Sequence, residues 1–172
     1  MVSNNIFKYI AILLIIIGLN ACSISYKMNG ASIDYSKTRS ISIVDFPITA
    51  ELVYMPLSQQ FSQQLRDVYA KQTRLQVIRT GGDLHLEGEI TGYQLSPVAI
   101  GADAFASQTR LTVTIAVRFS NGKNPEDDFE KTYTAFEIFD SSLMLNDVQD
   151  ELLKKIIETI TDQIYNDTVA KW

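Results

Sequence analysis

From Thr109 to Phe119, Leu111, Val113, Ile115, Val117 and Phe119 fall on one parity, while Arg110, Thr112, Thr114 and Arg118 fall on the other. Successive side chains of a strand point to opposite faces, so the stretch predicts a strand with one apolar and one polar side. Such a strand needs a layer to cover its apolar side. Two segments can supply one. After Pro56, which suits the first turn of a helix, Leu57, Phe61, Leu65 and Val68 recur at helical spacing, with Gln59, Gln60, Gln63, Gln64 and Arg66 on the other faces. Near the C-terminus, Val148, Leu152, Leu153, Ile156, Ile157, Ile160 and Ile164 make a second, wider stripe. Asn146 is placed to cap that helix, with Gln149 at the capping-box position. Asp150 with Lys154, and Glu151 with Lys155, stand four apart as favourable pairs.

Shorter strand signals fill the rest. Ile41, Ile43 and Phe46 alternate with Ser40, Ser42 and Asp45 until Pro47. Leu75 to Arg79 is a brief strand stopped by Gly81-Gly82. Leu84, Leu86 and Ile90 alternate with His85, Glu87 and Glu89, and Gly88 and Gly92 on the apolar parity predict a bulge or a close approach, for example by a crossing helix. Phe129 to Phe139 reads as a strand whose parity slips near Ala135, which predicts another bulge. The expected fold is an α+β two-layer sandwich, two helices packed on one face of a mostly antiparallel four- to five-stranded sheet.

The first residues read differently. Ile10 to Leu19 is apolar and preceded by Lys8, too short to span a bilayer core, which needs about 20 residues. It matches an export signal. Leu19-Asn20-Ala21-Cys22 resembles a lipobox, with Asn20 departing from the usual small or β-branched residue. In this reading residues 1–21 are removed and Cys22, the only cysteine, is lipidated and becomes the new N-terminus; the alternative is a buried core thiol. Several acyl chains would anchor stably where one would not. Ser23 in place of Asp, and no acidic cluster after Cys22, favour the periplasmic leaflet of the outer membrane. Residues 22–36 form a polar tether and 37–172 a single domain. The net charge of −5 becomes −6 once Lys8 is removed, which argues against nucleic acid as a partner.

Catalytic constellations are scarce. His85 is the lone histidine and reads as exposed and uninvolved; no metal cluster, cofactor motif or hydrolase signature accompanies it. Asp167-Thr168-Val169 fits a short O-glycosylation pattern, or simply the last helical turn. Arg74, Arg79, Arg110 and Arg118 are the notable cations, with Arg110 and Arg118 on one sheet face. They read either as surface charge, paired across the sheet with Glu87 or Glu89, or as contacts to phosphate-bearing head groups. Pro97 to Ser107 reads as a partner loop or an ordinary connection.

LSQQFSQQLRDVYAKQTRLQVI, GGDLHLEGEITGYQLSPVAI, QTRLTVTIAVRFSN, the FDSS segment and Trp172 together closely resemble the LptE family of Bacteroidetes, over nearly the whole chain after Cys22. The resemblance implies a non-enzymatic outer-membrane lipoprotein that plugs the lumen of the β-barrel LptD, helps it assemble, and helps deliver lipopolysaccharide to the outer leaflet. It implies two helices on a sheet. A polar barrel lumen suits a Thr-, Gln-, Ser- and Glu-rich exterior. The alternative is a stand-alone periplasmic ligand-binding or chaperone lipoprotein of similar shape.

Overall fold

The computed structural model describes residues 33–52, 54–98 and 108–170. The export signal, Cys22, most of the tether, most of the Pro97–Ser107 connection and Trp172 lie outside them. Five strands and two long helices follow one another: β1 (Ser40–Ile43), α1 (Pro56–Gln72), β2 (Gln76–Ile78), β3 (Leu84–Val98), β4 (Gln108–Asn121), β5 (Phe129–Asp140) and α2 (Leu145–Thr168). The strands form one sheet in the order β2-β1-β3-β4-β5. Its long ladders, β3 with β4 and β4 with β5, are antiparallel, while the short β1 runs parallel to both β2 and β3. The expected α+β sandwich is present, with a mixed sheet. Short strands joined through a helix can return parallel, which strand-by-strand alternation does not reveal.

Both helices cover the same sheet face. Ile41, Ile43, Leu84, Leu86, Ile90, Leu111, Val113, Ile115, Val117 and Phe119 meet Leu57, Phe61 and Leu65 of α1 and Leu153, Ile156, Ile160 and Ile164 of α2 in one buried cluster. All five apolar-parity residues of β4 are buried there. Burial of a Leu or Ile side chain contributes about 1.5–3 kcal/mol, so this layer dominates stability. Tyr69, outside the expected stripe, is fully buried between the helices and bonds Thr168. Among the described residues no helix is long and apolar enough to cross a membrane.

The β3 glycines mark a close approach and a bulge as expected, while the local expectations for β5 and α2 need correction. Gly88 does admit a close approach, but from the chain after β1: a Cβ there would collide with the Ala116 carbonyl oxygen and lie 2.6 Å from the Phe46 ring. Phe46 fills that space and stacks edge-on to Phe61 at 5.0 Å. The β3 bulge lies between Ile90 and Gly92, so Gly92 lands on the polar face. β5 has no bulge; it pairs with β4 in one register from Phe129 to Asp140, and its apparent slip is real outward placement of Phe136 and Ile138. Finally, α2 starts at Leu145 with no side-chain cap, so Asn146 lies within its first turn. An Asp140 turn, with Ser142 N–H donating to its carboxylate at 2.8 Å, feeds the helix earlier. Gln149 is buried, and Asp150 accepts from Tyr54 rather than pairing with Lys154; Glu151 and Lys155 do pair.

Candidate interaction surfaces

The layered fold has two distinct ends. The helix C-termini meet at one, where Tyr69 reaches Thr168 and Tyr165 donates to the Gln72 carbonyl. The same end holds Ile33 to Thr38, where the described chain begins, and the β4–β5 turn; together they enclose a hollow of about 400 Å³. Asp83 fastens this end. Its carboxylate accepts from the Arg39 and Ser40 amides at 2.8 and 3.2 Å and from Lys123 at 2.9 Å. These donors, led by the Arg39 amide, pull its pKa from 3.8 down to about 2.

The other end carries the helix N-termini, the end of β3, the start of β4 and the end of β5. Leu52, Met55, Leu95, Leu143 and Met144 are exposed there, Met55 and Met144 by about three quarters. Apolar side chains gathered together on a folded surface mark a candidate contact site.

The sheet face away from the helices is polar. Across it runs a line of hydrogen bonds: Ser42 Oγ to His85 Nδ1 at 2.7 Å, His85 Nε2 to Glu87 at 3.2 Å, and Arg118 to both Glu87 (3.3 Å) and Glu130 (2.5 Å). His85 is therefore engaged at both ring nitrogens, contrary to the sequence expectation. Its bond, ahead of the Arg118 charge, holds the Glu87 carboxyl below its usual value. Ser42, His85 and Glu87 have the residue types of a hydrolase triad, but Ser42 is fully buried and its Oγ faces no open space. The line braces four strands. Beside it, Val44, Glu89, Ala116 and Thr132 help to line an open hollow of about 630 Å³. Among the described residues no three His, Cys, Asp or Glu side chains gather to hold a metal.

The four arginines separate. Arg118 is paired across the sheet, with Glu87 as expected and with Glu130 in addition, and Glu130 first among these raises its pKa. Arg110 makes no ion pair among the described residues; its guanidinium stacks on the half-exposed Phe136 ring at 4.4 Å, and its Nε is buried without a partner. Arg74 lies 6.0 Å from the Tyr35 ring at the tether end. Arg79 lines a small hollow beside Asp45 and Arg66. The four do not form one cluster. Thr168 is buried and hydrogen-bonded to Tyr69, so the folded chain does not present it for glycosylation. The Arg110–Phe136 stack escapes a sequence reading because it depends on the β4–β5 register, which no local pattern fixes.

Residues 38–168 match the family model described as LptE, lipopolysaccharide-assembly. The chain belongs to the LptE family. That family is a non-enzymatic one of lipopolysaccharide-assembly lipoproteins. No curated protein sequence matches. Among solved structures, a Xanthomonas campestris protein is similar over 77% of this chain and 84% of its own, at 10% identity and TM-score 0.52. A minor lipoprotein from Acinetobacter baumannii aligns over 73% of this chain and 94% of its own, at 13% identity and TM-score 0.46. The rare lipoprotein B of Shewanella oneidensis aligns over 75% and 90%, at 8% identity and TM-score 0.44. At these identities the Xanthomonas likeness speaks for the fold alone.

Proposed function

We propose that this LptE-family chain is an outer-membrane lipoprotein, held in the periplasmic leaflet through Cys22 after removal of residues 1–21, that plugs and helps assemble an LptD-like β-barrel for lipopolysaccharide transport. The family match over residues 38–168 carries the reading. Two features of the fold support the plug geometry. The described chain starts at the end opposite the apolar rim, and the segment from Cys22 to Ile33 can reach at most roughly 40 Å when extended. A lipid at Cys22 would thus keep the Asp83 end near the leaflet while Leu52, Met55 and Met144 point into the barrel. The sheet's Thr-, Glu- and Arg-bearing face suits a wet lumen wall.

Within that geometry Arg110, stacked on Phe136 and lacking an anion among the described residues, is the arginine best placed to meet the barrel or a lipopolysaccharide phosphate. Arg118 is already satisfied. Depletion of the protein should lower lipopolysaccharide at the cell surface and admit large antibiotics that the outer membrane normally excludes. Cells that keep normal surface lipopolysaccharide and an intact barrier after depletion would reject the reading.

A further inference from the structure

The sheet ends in two unlike edges. β2 is three residues long, a short edge of the kind that resists further pairing. β5 is 12 residues long, lies against β4 in one register, and contains neither proline nor bulge. Among the described residues no strand pairs with its outer side. The backbone groups turned away from β4 therefore look outward, a ready template for another strand.

Natural edges of this length are usually blunted, often by charges pointing toward the covered face. β5 carries two, Lys131 and Glu137, on the helix side. They have opposite signs and stand symmetrically about Thr134. Glu137 has no ion pair within the described chain, whereas Lys131 bonds Asp167 at 2.6 Å and has further donors to offer.

We propose that the free edge of β5 takes β5 of a second copy of this chain, antiparallel, with Thr134 facing Thr134 on the twofold axis. Only registers centred on a residue keep the helix layers of both copies on the same side. Centred on Thr134, Lys131 faces Glu137 twice, Phe129 faces Phe139 and Tyr133 faces Ala135 on the helix side, while Glu130 faces Ile138 and Thr132 faces Phe136 on the other. A centre at Tyr133 would set Phe129 against Glu137 and leave Lys131 opposite Ala135. A centre at Ala135 would set Glu130 against Asp140, two like charges. Charge and ring complementarity select Thr134. The dimer concerns the protein free of other partners and does not rest on the barrel reading.

The test uses the full chain, overproduced and purified alone in mild detergent. Sedimentation over a concentration series should give a monomer–dimer equilibrium. Thr134→Cys should cross-link into dimers with a short bifunctional thiol reagent, because directly opposed Cβ atoms lie about 4.5–5.5 Å apart; Thr132→Cys, facing Phe136, should not. Glu137→Lys puts Lys against Lys twice and should weaken dimerisation about tenfold, with the circular dichroism unchanged. A monomer at every soluble concentration, a dimer indifferent to Glu137→Lys, or a Thr134→Cys variant that cross-links no better than Thr132→Cys would each overturn the assignment.

Discussion

Arg110 and Arg118 lie on the same strand and the same face, yet their surroundings give them different work. Arg118 sits directly between Glu87 and Glu130, so its charge is spent within the sheet. Arg110 has Ile138 opposite it and its guanidinium stacked on the half-exposed Phe136 ring, with no ion pair among the described residues. Arginine is enriched among the residues that carry most of the binding energy at interfaces. Replacing Arg110 with Ala should lower capture of a partner barrel about fivefold or more, while Arg118→Ala should leave it nearly unchanged; quantitative co-purification of the two variants checks this. Asp83 makes a separate prediction. Its pKa is depressed on folding, so its stabilisation is full above the ordinary carboxylate value and is lost as pH falls from 3.8 toward about 2. Asp83→Asn should be less stable at neutral pH, and its stability should fall less steeply over that acid window than the parent's. Urea titrations at stepped pH give the comparison, and equal acid slopes would refute the role of the carboxylate.

Among the elements, Gly88 joins two layers. Its missing side chain lets Phe46 reach the sheet while the Ala116 carbonyl closes the other side. Because that carbonyl is backbone, Gly88→Ala cannot be relieved by a rotamer change and should cost about 1–3 kcal/mol or more, read as a lower denaturant midpoint at unchanged slope. A midpoint within error of the parent would mean the strands part more easily than their ladder implies. Sequence alone marks Gly88 as a bulge or a close approach without naming the intruder, since nothing local says that Phe46 folds back. β4 is legible in full because its core parity never breaks. β5 misleads for the opposite reason: Phe136 and Ile138 look like a slipped register until β4 is laid beside them. Alternation reports burial, and an outward apolar side chain awaiting a partner breaks it as surely as a bulge would. The parallel placement of β1 and β2, and the early start of α2, also depend on distant contacts rather than on neighbours in sequence.

At the scale of the molecule, three surfaces stand out among the described residues: an apolar rim at the helix N-termini, a polar sheet face braced from Ser42 to Glu130, and the outer edge of β5. Under the proposed function, the end that carries the tether would be held at the membrane, and the end with exposed methionines and leucines would meet the barrel. The family, read first from the resemblance of long segments and then matched over residues 38–168, supplies the pathway in which that shape has a use. The candidate surfaces are only partly legible in the sequence, because which arginine is free depends on strand pairing. The most direct test of the proposed plug is to recover the tagged protein from native outer membranes in mild detergent and identify what comes with it. A large β-barrel protein should come bound to it, resistant to high salt because the barrel encloses it. Recovery of the protein alone, with the barrel in a separate fraction, would contradict the proposal.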